Sequence, residues 1–219
     1  EGGTPLYRLE NLQRELEMKE LYVKNDGANP TGSFKDRGSS VEIARALEVL
    51  SGGKSRRVAV ASTGNMGASL SAYSAVAGLE CHVFTPRDAR AVKLMQILAY
   101  GSMVYQIEGD YTHAASLVEK AVREYGLYLL GDYLFRREGT KSVGFELTDQ
   151  LSGITHVFSP VGNGTLISAV WKAFREWKLL GFSRSLPMMV GIQASGCSPV
   201  TRAFKKGSGI RPVKGKTIA

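Results

Sequence analysis

Two cysteines and three histidines are all the thiol and imidazole this sequence holds. Cys81 and Cys197 are far apart and neither belongs to a CxxC pair. No disulfide framework is expected, and both read as reduced core thiols. His82, His113 and His156 are scattered without ligand spacing, so no metal is expected. Long apolar runs are missing too: none approaches the roughly 20 residues needed to cross a bilayer. The first residues, EGGTPLYRLENL, lack the charged start and apolar stretch of a secretory signal. A cytoplasmic location is the default that follows. An initiator Met is also lacking, so the first residues of the gene product are expected to be missing. Basic and aromatic residues are not interleaved in the manner of RNA-binding modules. The excess of 28 Lys and Arg over 20 Asp and Glu gives a net charge of +8. These cations are dispersed, the densest groups being residues 54–57, Arg136 with Arg137, and Lys205 with Lys206. That pattern reads as a solvated surface, with neither nucleic acid nor membrane as a partner.

What remains is the profile of a globular chain of 219 residues, 43% hydrophobic and 22% charged. There is no internal repeat and no low-complexity segment. Short β-like runs at 21–25, 57–61, 81–85, 103–107, 127–130, 155–159 and 188–193 alternate with helical runs. The helical runs are 37–50, 66–77, 91–100, 111–125, 140–151, 165–177 and 199–205. Val41, Ile43, Ala44, Leu47 and Leu50 form a helical stripe in the first of them. This alternation predicts an α/β fold with a mostly parallel sheet and helices on both faces. Ligands of such sheets sit beyond the carboxyl ends of the strands, so the loops after strands are where chemistry is expected.

Three loops stand out. NPTGSFKDRG, residues 29–38, makes a turn at Pro30 and Gly32 and puts Lys35 just ahead of a helix that Asp36 can begin. The positive end of a helix dipole lowers the pKa of a lysine held there. A neutral amine is what a bond to an aldehyde requires. Spacing alone does not separate Lys35 from an ordinary surface lysine. STGNMG, residues 62–67, opens a helix after a strand. Its free N–H groups suit a carboxylate or phosphate, although Ser62 and Thr63 serve equally well as plain N-caps. VGNGTL, residues 161–166, again joins a strand to a helix, and Gly162 and Gly164 let the backbone approach a ligand. It is neither a Walker A loop nor a GxGxxG fingerprint.

Taken in order, EGGTPLYRLENL, NPTGSFKDRG, ASTGNMGAS, GDYLFRREGTKSVGFEL and PVGNGTLISAVWKAF resemble successive blocks of the threonine synthase family. These enzymes are fold type II (tryptophan-synthase-β-like) pyridoxal-phosphate enzymes, and the resemblance covers nearly the whole chain. It implies two three-layer α/β/α domains with the cofactor, pyridoxal 5'-phosphate, between them. Residues 1–34 and 134–219 would belong to the larger domain and 35–133 to a smaller, mobile one. Lys35 matches the lysine that joins the cofactor as a Schiff base and acts as general base. Phe34 is counted beside it in the cofactor site. Asn65 matches the asparagine at the cofactor's phenolic oxygen. Gly162, Asn163, Gly164, Thr165 and Leu166 match the loop that cradles its phosphate. Ser62, Thr63 and Met66 match the loop that meets the substrate carboxylate. Lys24 and Arg37 lie in blocks that resemble the substrate surroundings, and Arg37, like Asp36, also suits a structural ion pair.

The implied reaction is the conversion of O-phospho-L-homoserine and water to L-threonine and phosphate, so the expected partner is a phosphorylated amino acid. A homodimer is left open. The family continues beyond a TIA-like segment, so the large domain is expected to be incomplete here. Three alternatives stay open. They are a cysteate-forming sister enzyme using phosphoserine and sulfite, a serine or threonine dehydratase, and a non-catalytic ligand-binding relative.

Overall fold

The structure is a computed structural model that describes residues 1–53, 55–131, 133–213 and 215. Lys54 of the basic group at 54–57 and the terminal residues 217–219 lie outside the described residues. Contacts divide the chain into two compact units, Glu1–Gly139 and Thr140–Ala219.

The first unit opens with an antiparallel pair, β1 (Leu6–Arg8) and β2 (Tyr22–Lys24), on either side of α1 (Glu10–Glu15). A 3-10 turn at Asp26–Ala28 leads to α2 (Lys35–Leu50). Strands and helices then alternate: β3 (Arg57–Ala61), α3 (Asn65–Val76), β4 (Glu80–Pro86), α4 (Ala91–Ala99), β5 (Met103–Ile107), α5 (Tyr111–Tyr125), β6 (Tyr128–Leu129) and α6 (Tyr133–Thr140). Four of these strands form one parallel sheet in the order β5-β4-β3-β6.

β3 reads RVAVA and is buried at four of its five positions, as expected of a central parallel strand covered on both faces. Its alternation sorts the two cores. Val58 and Val60 join Ile43 and Ala46 of α2, Ala68 and Leu70 of α3 and Ile97 of α4. Ala59 and Ala61 face Val118 of α5 on the other side. Each fully buried valine contributes on the order of 1.5–3 kcal/mol relative to an exposed one. α5 is bounded by a side-chain cap from Asp110 to the His113 N–H and by Gly126 at φ 63°. These are the signals that set its limits in the sequence.

The second unit holds α7 (Ser142–Gln150), β7 (His156–Pro160), α8 (Thr165–Leu179), β8 (Met188–Ile192) and α9 (Pro199–Lys206). β7 and β8 pair in parallel, with His156 opposite Met188. Val143, Val170 and Phe174 form its core. α7 and α8 pack closely because Gly144 lacks a Cβ that would stand 2.6 Å from Ala173 Cβ. Among the described residues no helix is long and apolar enough to cross a membrane.

The structure departs from the sequence expectations in four places. β1 and α1 were not expected; both are short, and α1 buries no residue, so its sequence has no apolar stripe to show. Helix α6, Tyr133–Thr140, was not expected, whereas α7 falls within the helix expected over 140–151. The helix carrying Lys35 begins at that residue, so the lysine is helical and does not sit ahead of the helix. Cys81 is a buried thiol as expected, but Cys197 is only partly buried and is no core residue.

Candidate active site

The course of the chain through the first sheet marks one end as the place for a ligand. From β3 the chain moves outward through α3, β4, α4 and β5, with α3 and α4 packing on one face. It then returns along the opposite face in α5 and enters β6 on the far side of β3. The strand order therefore reverses between β3 and β6, which marks the carboxyl ends of those strands as a topological switch point. Residues 62–67 follow β3 there, and the turn at Gly131 follows β6.

α2 and α3 present their N-termini at this same end. Arg56, between α2 and β3, donates to the Ala77 and Gly78 carbonyls at the end of α3, so the helix C-termini lie together. The Ser69 hydroxyl donates to Ser39 Oγ at 2.7 Å, and both side chains are fully buried. Each serine stands four residues into its helix, counted from Lys35 and from Asn65, so the two helix starts are neighbours.

Lys35 is half-buried. Its Nζ stands 4.4 Å from the centroid of the Phe34 ring. Its pKa is lowered from 10.5 to about 8, first by burial and then by the positive charge of Arg136. The cause is thus burial more than the helix start invoked from sequence. Among the described residues no carboxylate pairs with it. Asp36 is not an N-cap. It sits inside α2, and its carboxylate accepts from the Thr31 N–H at 2.8 Å and from the Thr31 hydroxyl. That pins the 29–34 turn to the helix and holds Lys35 in place.

In the second loop, Ser62 Oγ accepts from the Gly67 N–H at 2.8 Å and from the Gly64 N–H at 3.4 Å. Ser62 is buried and acts as an internal cap, whereas Thr63 and Asn65 are exposed and Met66 is partly buried. No side chain caps α3 at Gly64, which leaves the N–H groups of Asn65 and Met66 open to an anion.

The third loop lies in the second unit. Asn163 Oδ1 accepts from the Thr165 N–H at 3.1 Å and from the Thr165 hydroxyl at 2.9 Å. Gly164 takes φ 89°, in the left-handed region, and a Cβ at Gly162 or Gly164 would meet nothing within 4 Å. The loop thus shows an open backbone face at the start of a 15-residue helix, Thr165–Leu179. Its remaining first-turn donors, including the Leu166 N–H, suit a phosphate. Each unit taken by itself, the half-buried amine of Lys35 in the first fits an aldehyde and the open backbone face of residues 162–166 in the second fits a phosphate, the two groups that pyridoxal phosphate carries.

Lys24 and Arg37 take other positions. The Arg37 side chain is fully buried and donates to both oxygens of Asp26 at 2.9 Å and to the Thr4 hydroxyl at 3.0 Å. Lys24 Nζ donates to the Thr4 carbonyl at 2.7 Å. Both side chains tie β2 and α2 to the first residues of the chain.

Two residues not assigned to the site from sequence belong in this neighbourhood, and Arg136, read there as solvated surface, is buried. Arg136 of α6 acts electrostatically on Lys35, and Glu42 of α2 holds Arg136 in a buried ion pair at 2.8 Å. The available signal was a glutamate between Val41 and Ile43, seven residues beyond the lysine.

The model of the pyridoxal-phosphate dependent enzyme family matches residues 1–219. The chain belongs to that family, whose cofactor is pyridoxal phosphate. It is 49% identical over 210 residues to the threonine synthase of Methanocaldococcus jannaschii, covering 94% of this chain and 51% of that protein. It is 44% identical over 212 residues to the threonine synthase of Methanosarcina acetivorans, covering 95% and 51%. The chain therefore spans about half the length of these relatives. Maize serine racemase shares the fold at a TM-score of 0.85 and 22% identity, over 98% of this chain and 63% of that one.

Proposed function

We propose that this chain carries the reactive lysine and the anion-binding loops of a threonine synthase, which converts O-phospho-L-homoserine and water to L-threonine and phosphate. The observation that carries the proposal is Lys35, an amine with a pKa of about 8 and no carboxylate partner among the described residues, beside a sheet switch point. Identity of 49% to a threonine synthase, against 21% to a fungal L-serine ammonia-lyase of the same fold, favours the synthase over a dehydratase.

Bound here, pyridoxal phosphate would supply an aldehyde and an electron sink. The backbone N–H groups of residues 162–166 would hold its phosphate, and Asn65, exposed at the first position of α3, would meet its phenolic oxygen. Lys35 Nζ would hold the group through its aldehyde, and as a free amine it would be the base that takes the substrate α-proton and later returns one. The N–H groups at the start of α3, with Thr63 and Met66 beside them, receive the substrate carboxylate. Ser62 keeps that loop in shape by capping it from inside. Arg37 and Lys24 are structural in this reading, because their donors are turned to Asp26 and Thr4. The same reading takes the protein to be cytoplasmic and free of nucleic-acid partners, with a homodimer as an assembly for sedimentation to test.

Product analysis tests the substrate. With pyridoxal phosphate present, phosphohomoserine should yield threonine and phosphate together, and unphosphorylated homoserine should be a poor substrate. Faster turnover of serine or threonine would overturn the synthase reading in favour of a dehydratase. Sulfite-dependent turnover of phosphoserine would move it to a cysteate-forming enzyme.

The phosphate loop has its own test. Valine at position 164 would be a β-branched residue at φ 89°, which costs about 1–2 kcal/mol and forces the loop out of shape. Gly164→Val should therefore raise the Kd for pyridoxal phosphate roughly tenfold in a spectroscopic titration. Unchanged affinity would give the loop another role.

A further inference from the structure

We propose that the buried Glu42–Arg136 ion pair is a positioning device for Lys35: it fixes the Arg136 guanidinium, a permanent positive charge, near the lysine amine. This rests on the reading of Lys35 as the reacting amine.

The geometry comes from two helices. Glu42 lies seven residues beyond Lys35 in α2, two turns on and within about 20° of the same face. Arg136 Nη1 donates to Glu42 Oε2 at 2.8 Å, and the two side chains are 4% and 2% exposed. The other carboxylate oxygen of Glu42 accepts from the Gly131 N–H, just after β6. Glu42 thus ties α2 to the turn ahead of α6 and to α6 itself. One turn further along α6, Gly139 lies directly on α2, since a Cβ there would stand 2.0 Å from the Arg37 carbonyl oxygen. α6 therefore crosses the opening turns of α2, and Arg136 is carried along the face that Lys35 and Glu42 share.

A buried ion pair of this kind adds little net stability over an apolar pair of the same volume. Its presence calls for another use, and the neighbouring lysine supplies one. Among the described residues, the charged groups next to Lys35 in the chain are engaged elsewhere. Asp36 bonds Thr31, and Arg37 bonds Asp26 and Thr4. Tyr73 of α3 senses Asp36 and is held protonated, its pKa raised chiefly by burial. Arg136 is the charged group that acts on Lys35, adding to the effect of burial. A fixed cation disfavours a second cation beside it, so its direction is toward the neutral amine.

The test measures the Lys35 amine itself, without turnover. The full chain, freed of any bound cofactor, is trace-labelled with acetic anhydride across a pH series, and the Lys35 peptide is quantified by mass spectrometry. The parent midpoint should lie near 8. Arg136→Met combined with Glu42→Gln removes both charges and should raise the midpoint by on the order of one pH unit. The neutral fraction at pH 7 then falls roughly tenfold. Arg136→Lys keeps the charge and should stay at the parent value. Glu42→Gln alone keeps the cation but removes the anion that offsets it, so the midpoint should fall below the parent's. A purely structural pair would not produce shifts of opposite sign. If the double variant folds as judged by circular dichroism and its midpoint is unchanged, the proposal fails. If the double variant does not fold, Glu42→Gln decides, and an unchanged or raised midpoint overturns it. The cofactor reading is judged separately: borohydride reduction of the parent with pyridoxal phosphate should mark Lys35. A mark elsewhere would sink that reading while leaving the midpoints to decide what sets the titration of Lys35.

Discussion

Lys35→Ala should reduce turnover of phosphohomoserine by at least about 10³-fold, because one side chain is lost from two jobs. General acid–base catalysis alone is worth about 10²–10⁴, and the nucleophilic capture of the aldehyde goes with it. The variant should still bind pyridoxal phosphate noncovalently through residues 162–166, but borohydride should fix none of it to the chain. In the parent, the reduced label should map to the peptide containing Lys35. Label on Lys24 would sink the assignment, since Lys24 Nζ is already bound to the Thr4 carbonyl.

The same variant separates activity from stability. The Lys35 pKa is 10.5 when unfolded and about 8 when folded. Between those values the unfolded chain binds more protons than the folded one, so parent stability should rise with pH from about 8 toward 10. Below pH 8 the buried charge costs the fold about 3 kcal/mol relative to the neutral amine, at 1.36 kcal/mol for each pKa unit. Lys35→Ala removes the cost, so it should melt no lower than the parent at pH 7 and lose the rise above pH 8. A variant that loses activity because it unfolds would show the opposite.

How much of this was legible in the sequence depended on whether the signal was local. β3, β5 and α5 were expected at 57–61, 103–107 and 111–125 and occur with those limits. Their signals are short-range: an apolar run for a doubly covered strand, and Asp110 and Gly126 at the ends of an amphipathic helix. The α/β class followed from the alternation of strand and helix. The three loops were legible because glycine and hydroxyl residues after a strand have few other uses.

The helix boundary at Lys35 was not legible. It depends on Asp36, from inside the helix, accepting from Thr31 five residues back, and in the sequence that aspartate reads equally well as a cap. Helix α6 was missed because its Gly139 reads as a helix breaker, yet contact with the Arg37 carbonyl, a neighbour a hundred residues away, requires it. Glu42 and Arg136 are separated by 94 residues. Each by itself reads as a solvated helix charge, and only the fold shows them buried together.

Arg37→Gln should lower stability by about 3–5 kcal/mol and leave the Michaelis constant for phosphohomoserine near the parent value. The Arg37 guanidinium is fully buried and donates to both oxygens of Asp26 and to the Thr4 hydroxyl, which itself bonds Asp26 at 2.8 Å. Removing one partner of a buried pair strands the other in a low dielectric, hence the size of the loss. Asp26→Ala should cost a similar amount from the other side, since the guanidinium loses its carboxylate. For a chain of this length the loss corresponds to a fall in melting temperature of roughly 10 °C. Asp26→Leu with Arg37→Met, which removes both charges, should recover most of it, because the desolvation cost of the pair disappears together with its attraction. Unfolding in urea for the four proteins and a Michaelis constant for Arg37→Gln decide the matter. A normal melt combined with a raised Michaelis constant would return Arg37 to the substrate phosphate. A low melt with an unchanged Michaelis constant keeps it where its hydrogen bonds lie, as the clamp that joins the 3-10 turn, the start of α2 and the first residues of the chain around Lys35.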